Sequence, residues 1–204
     1  LLVSPFHMMA AIGLIAAPRD PFDGLHGLFN DSLPDGWGRL LLDRRLQRAG
    51  IDYTRLTPVE RLSAVGRSGM GALSYVPELP DDEKQQAEND LDWFADQVEL
   101  VQTQMDIADI DRLQGAQGGS AGARPKIMIG FNKAENTCVL DYGQPLAAGF
   151  ERWMVKAPSS DDPPEIGAEE RAYALMAVAA GLTMADTRLL ETRKGRRLFA
   201  TQRF

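Results

Sequence analysis

"GGSAGARPKIMIG", residues 118–130, sets a run of small residues in front of Lys126 and then a short apolar stretch that reads as a strand. Three phosphate-binding templates can be tested on it. The P-loop pattern needs Gly, four residues, then Gly-Lys-Ser/Thr. Here the fifth residues after Gly118 and Gly119 are Ala123 and Arg124, and Lys126 is followed by Ile127. The dinucleotide pattern GxGxxG is also unmet, and it would lead into a helix where this loop leads into a strand. What remains is a Gly-rich loop joining strands over a nucleotide, whose backbone N–H groups reach phosphate because small residues leave room. Taken alone, such a loop is more often a plain connector.

The residues downstream change the weighing. "RWMVKAP", 152–158, puts Lys156 at the end of an apolar strand, and "GAEERAYALM", 167–176, puts Glu169 and Glu170 in the first turns of a helix. A kinase-like lobe needs such a strand lysine to neutralise phosphate and a helical glutamate to hold it. Each has a plainer reading, a solvated lysine and an acidic helix start that suits the dipole. The order of loop, lysine, helical glutamate and two further strands is harder to reach by chance.

Working outward, 204 residues suit two compact parts. Residues 1–80 read as a small mixed unit. In "FNDSLPDGWGRLLLDRRL", 29–46, Asp31 and Ser32 are expected to cap a helix, with Pro34 in its first turn and Leu33, Trp37, Leu40 and Leu41 on one face. In "TPVERLSAVG", 57–66, Thr57 and Glu60 form a capping box and Gly66 a stop. "ALSYVPE", 72–78, is expected to be a short strand ended by Pro77.

Residues 81–117 read as an acidic linker and one amphipathic helix, capped by Asp90 or Asp92 and carrying Leu91, Phe94, Val98, Val101 and Met105 as its apolar stripe. Residues 118–204 form the third section. "KIMIG" and "TCVL" pair as a hairpin through "FNKAEN", and "RWMVK" and "LFATQRF" add strands. The Ala-rich run 166–180 is helical, with Gly181 at its C-terminal end. The fold class is α+β, a mostly antiparallel sheet with one main helix, preceded by the small mixed subdomain.

Composition is that of a globular protein, 44% hydrophobic and 25% charged, and no apolar run approaches the roughly 18 residues of a spanning helix. A net charge of −7 argues against a general nucleic-acid binder. "RKGRR", 193–197, reads as a charged hairpin turn before it reads as a nucleic-acid patch. One cysteine, Cys138, excludes an intramolecular disulfide and a cysteine metal site, and fits a reducing cytoplasm. His7 and His26 are too few for a histidine cage, so no metal site is expected within this stretch. A chain that opens "LLVSPF" and stops at "FATQRF", inside a strand, is expected to be part of a longer polypeptide.

Six stretches, "LFNDSLPDGWGRLLLDRRL", "RLSAVGRSGMGALSYVPE", "GGSAGARPKIMI", "WMVKAP", the Glu170 helix running into "AAGL", and "FATQRF", together resemble the HipA-like kinases, bacterial toxins of toxin–antitoxin modules. The resemblance covers nearly the whole chain. It implies an N-terminal subdomain, a protein-kinase-like small lobe, ATP and Mg as cofactors, and phosphorylation of Ser or Thr on a protein target. That target would be an aminoacyl-tRNA synthetase or another translation protein, and a DNA-binding antitoxin would be a partner; no direct nucleic-acid contact and no membrane are implied. Ala121, Gly122, Ala123, Arg124, Pro125 and Lys126 would form the loop over the ATP phosphates, Lys156 the strand lysine and Glu170 its partner. Gln202, Arg203 and Phe204 would be the hinge that presents backbone groups to adenine, with Gln202 where the family has Glu. A self-phosphorylated serine of the family falls on Gly119 by direct count and on Ser120 with a one-residue shift. The catalytic Asp and the metal-holding Asp and Asn would follow the hinge, beyond Phe204, so the fragment alone is expected to be inactive. The alternative is a non-catalytic nucleotide-binding or antitoxin-binding regulatory module.

Overall fold

The structure, a computed structural model, describes residues 16–67, 69, 73–77, 91–103, 105, 109–119 and 122–203. It divides into two units, Leu1–Pro80 with Gly119–Ala121, and Asp81–Gly118 with Gly122–Phe204.

In the first unit the described helices are α1 (Gly27–Asn30), α2 (Gly36–Arg48) and α3 (Pro58–Val65), with a 3-10 turn at Tyr53–Arg55. Asp31 does not cap α2; it closes α1, its N–H donating to the Gly27 carbonyl. The long helix starts only at Gly36, behind Asp35. Two local causes set this boundary: Pro34 disfavours helical backbone at Leu33, and the chain enters the helix at φ +42°, a conformation that glycine alone adopts freely. The buried face is Trp37, Leu41, Leu42 and Leu46, while Leu40, expected inward, is 39% exposed.

The capping box of α3 is present. The Glu60 N–H donates to Thr57 Oγ1 (3.3 Å), the Thr57 N–H donates to Glu60 Oε2 (2.7 Å), and Gly66 ends the helix at φ +56°. Leu42, Leu46, Tyr53 and Ala64 form a core with Leu56 against it, and the guanidinium groups of Arg39 and Arg61 lie 5.1 and 5.0 Å from the Tyr53 ring. The strand expected over 72–78 is not formed within the described Leu73–Pro77. There the Tyr75 N–H donates to Gly66 C=O and the Tyr75 hydroxyl to Ser32 Oγ, which ties the segment to α3 and to the α1–α2 loop.

The second unit holds α4 (Leu91–Gln102), α5 (Ile110–Gln117), β1 (Lys126–Asn132), β2 (Thr137–Leu140), β3 (Glu151–Lys156), α6 (Ile166–Ala179), β4 (Thr187–Glu191) and β5 (Arg197–Gln202). Phe94, Val98 and Val101 are buried as their spacing predicts, but Met105 lies past the end of α4 and is 59% exposed. Asp92 is no helix cap. Its carboxylate accepts the backbone N–H groups of Arg193 (2.8 Å) and Lys194 (3.2 Å), and Asp90 falls outside the described residues. Helix α5, unexpected from the sequence, ends at Gly118 in the left-handed conformation.

The sheet is antiparallel throughout, in the order β2-β1-β3-β5-β4. The β1–β2 hairpin forms through Lys133–Asn136, with β1 two residues longer than read from the sequence. Alternation along paired strands puts Ile127, Ile129, Phe131, Trp153, Val155, Leu198 and Ala200 on one face, all buried, with Trp153 edge-on to Phe131 at 5.8 Å. The main helix α6 packs against β4 and β5. It ends in a Schellman motif, Leu182 N–H to Ala177 C=O and Gly181 N–H to Val178 C=O, with Gly181 at φ +86°. Among the described residues no helix is long and apolar enough to cross a membrane.

Candidate functional site

The opposite sheet face carries two lysines among mainly apolar neighbours. Register places Lys126, Met128, Met154, Lys156, Phe199 and Thr201 together on it. The chain entering β1 lies against this face. A Cβ on Gly118 would meet Met128 Cγ at 3.1 Å, and one on Gly122, at φ +106°, would meet Lys126 Nζ at 2.7 Å. Small residues thus let the backbone come down onto the buried Lys126. Pro125, at the foot of the loop, is buried and accepts the Ala157 N–H through its carbonyl (2.9 Å), which joins the loop to the end of β3; Ala123 is exposed.

Lys156 leaves the same face one strand over. Its ammonium lies 5.3 Å from the Phe199 ring centre and donates to Glu170 Oε2 at 3.1 Å. Of the two glutamates at the start of α6, Glu170 faces the lysine while Glu169 is exposed. The first turns of α6 are held close to the sheet by Gly167, where a Cβ would meet the Arg197 carbonyl oxygen at 2.5 Å.

Glu170 has a second partner that spacing does not suggest. Its Oε1 accepts from Arg124 (2.7 Å), and the other arm of that guanidinium donates to Asp162 Oδ1 (2.9 Å). Asp162 is itself fixed, because its Oδ2 accepts the Ser159 N–H (3.0 Å) and hydroxyl (2.7 Å). Those Ser159 bonds, with Arg124 behind them, hold the Asp162 carboxyl below the usual carboxylate range. The only sequence trace of this arrangement is the Ser-x-x-Asp spacing of 159–162, a local turn signal that says nothing about Arg124.

At the far end of β5, the Gln202 N–H donates to Asp186 C=O and the Arg203 N–H to Arg152 C=O, each at 2.8 Å. The Gln202 side-chain amide donates to Glu151 Oε2 at 3.2 Å, and Lys133 bridges Glu151 (2.9 Å) and Asp186 (3.1 Å). Phe204, Ser120 and Ala121 lie outside the described residues.

The basic run 193–197 forms the β4–β5 turn, and acidic residues of α4 meet it. Lys194 pairs with Asp96 (2.6 Å), and Arg196 pairs with Asp96 (2.7 Å) and Glu99 (3.2 Å). Arg197 reaches Glu165 at 3.7 Å. Cations neutralised in this way offer little to a phosphate backbone.

Two ammonium groups on adjacent strands, a glycine-bearing loop lying on one and a carboxylate holding the other, form a site suited to a polyanion. Among the described residues no group of three or more His, Cys, Asp or Glu is placed to hold a metal ion. Compared with known families, residues 118–204 match the HipA-like C-terminal domain and residues 3–76 match the HipA N-terminal domain. No curated protein matches the chain.

Proposed function

The chain belongs to the HipA-like family, and from that premise we propose that it carries the nucleotide-binding lobe of an ATP-dependent serine/threonine protein kinase. The observation that carries the reading is the Lys156–Glu170 ion pair, 3.1 Å long, joining the end of β3 to α6. Lys156 and Lys126 take the phosphate charge, Gly122 lets backbone N–H groups approach it, and Glu170 keeps Lys156 from turning away. In the transfer, a Ser or Thr hydroxyl oxygen bonds to the γ-phosphorus, the bond from that phosphorus to the bridging oxygen breaks, ADP leaves, and the hydroxyl proton passes to a base. Catalysis of this kind is mostly positioning and charge stabilisation, which is what two fixed cations supply.

Magnesium, the metal of such kinases, supplies further charge neutralisation when bound, and no ligand for it is assigned among the described residues. Adenine would lie along the end of β5. The N–H groups of Gln202 and Arg203 are engaged within the sheet, so an N–H for the ring would come from residue 204. The protein target would be an aminoacyl-tRNA synthetase or another translation protein, and the partner a DNA-binding antitoxin. Residues 1–80 form the N-terminal subdomain, residues 81–117 the connecting segment with helices α4 and α5, and residues 118–204 the lobe itself.

The test is the intact mass of the complete natural polypeptide after incubation with Mg and ATP, beside Lys156→Ala, with peptide mapping of Ser120. Added phosphate that vanishes in the variant supports the kinase. Phosphate that persists in the variant overturns the role of Lys156. ATP binding without any transfer, to the chain itself or to a translation protein, points to a regulatory module.

A further inference from the structure

We propose that Arg124 is a positioning residue: with Asp162 it latches the loop entering β1 onto α6 and thereby sets the Glu170 carboxylate that orients Lys156. The inference rests on the kinase reading above and assigns Arg124 a role other than contact with phosphate.

The geometry distributes one carboxylate between two cations. Glu170 gives Oε1 to Arg124 at 2.7 Å and Oε2 to Lys156 at 3.1 Å, so neither oxygen can swing without breaking a charge-assisted bond. Both carboxylates that Arg124 touches are largely buried, with Glu170 18% and Asp162 11% exposed at their side chains, while Arg124 is 41% exposed, so these pairs are screened in part. Asp162 follows Lys156 on the β3–α6 connection and is pinned there by Ser159. Arg124 therefore ties together three segments, the loop before β1, the connection after β3 and the first turns of α6. The guanidinium meets the two carboxylates with separate arms of a rigid planar fork; an ammonium in its place is a single point charge on a flexible stem.

The two roles predict opposite responses at Asp162, a residue outside the expected phosphate loop. The measurement is kcat and KM for ATP, with titration of a non-hydrolysable ATP analogue, in the complete polypeptide and in its Arg124→Gln, Asp162→Asn, double, Arg124→Lys and Lys156→Ala variants. If the latch acts, Arg124→Gln and Asp162→Asn each lower kcat about tenfold with ATP KM changed by less than about threefold. The double variant is then no worse than either single one, and Arg124→Lys recovers part of the loss. If Asp162→Asn leaves kcat unchanged or tightens ATP while Arg124→Gln raises KM, Arg124 is a phosphate ligand and the latch is overturned. Arg124→Gln behaving as wild type overturns it as well. Should Lys156→Ala keep full activity, the kinase reading itself falls, and the latch with it.

Discussion

Lys126 of β1 stands directly across from Lys156 of β3. Like charges in directly opposed positions destabilise an antiparallel pair by tenths of a kcal/mol to about 1 kcal/mol. Glu170 answers Lys156. Lys126, only 6% exposed and under Gly122, is the second cation of the phosphate site proposed above. Lys126→Met keeps most of the side-chain stem and removes the charge. One charge-assisted contact is worth about 1.5–3 kcal/mol, so affinity for ATP should fall about tenfold or more in a calorimetric titration. An unchanged Kd removes Lys126 from the site.

Gly167 decides how close α6 sits. A Cβ there would meet three backbone atoms of β5, the Arg197 carbonyl oxygen at 2.5 Å and carbon at 3.3 Å and the Phe199 nitrogen at 3.1 Å, none of which can rotate aside. Alanine improves helix propensity by about 1 kcal/mol at most. Overpacking costs about 1–3 kcal/mol, so it outweighs that gain. Gly167→Ala should lower the urea midpoint and lengthen the Lys156–Glu170 pair, since Glu170 lies three residues further along the same helix. Greater stability in Gly167→Ala would mean that the close approach is relieved without moving α6.

Much of this was legible because its causes are local. The alternation of "KIMIG" and "TCVL" about a polar turn, the Thr57–Glu60 box and the Gly181 stop each need only neighbouring residues, and each formed. Helix α5 was not legible. Its "IDRLQGAQ" contains Gly115, costly in a helix by propensity, yet a Cβ there would meet the Tyr142 ring at 3.1 Å, so a contact 27 residues away explains the glycine. The boundary of α2 turned on Pro34 and on the backbone angle at Gly36. At the site, the order of loop, lysine and glutamate could be read, but the partners of Arg124 lie 38 and 46 residues away and follow from topology alone.

Asp92 makes part of the second unit sensitive to acid. Burial by itself would raise its pKa. The Thr192 hydroxyl and the Lys194 and Arg193 N–H groups outweigh that and hold the carboxyl below its ordinary value. A native pKa below the unfolded value of about 3.9 contributes stability that is full above that pH and is lost as pH falls through the native value. Asp96, lowered first by its bond from Lys194, acts in the same direction. Asp92→Asn should therefore lower the melting temperature at pH 7, with the gap to wild type closing towards pH 3. A gap that stays constant with pH would assign the loss to packing.

Gln202 donates to Glu151 Oε2, the same oxygen that takes Lys133 at 2.9 Å. The Lys133 bond is the main reason the Glu151 carboxyl sits below the usual range, and Asp186 draws on the same ammonium at 3.1 Å. Gln202→Glu, which restores the residue that the family resemblance expects, would remove a donor and set three carboxylates around one lysine. The Glu151 carboxyl and the one introduced at position 202 would then hold a shared proton more readily when folded than when unfolded. Stability lost by such a raised pKa is lost at neutral pH and recovered as the two carboxyls take up that proton. The variant should melt below wild type at pH 7 and approach it near about pH 4 to 5, where carboxylates begin to protonate. Adding Glu151→Gln should restore the pH 7 melting temperature, because it returns a neutral amide to the pair. If Gln202→Glu melts with wild type at pH 7, Lys133 neutralises the added charge, and the amide at position 202 is no requirement of this chain's fold.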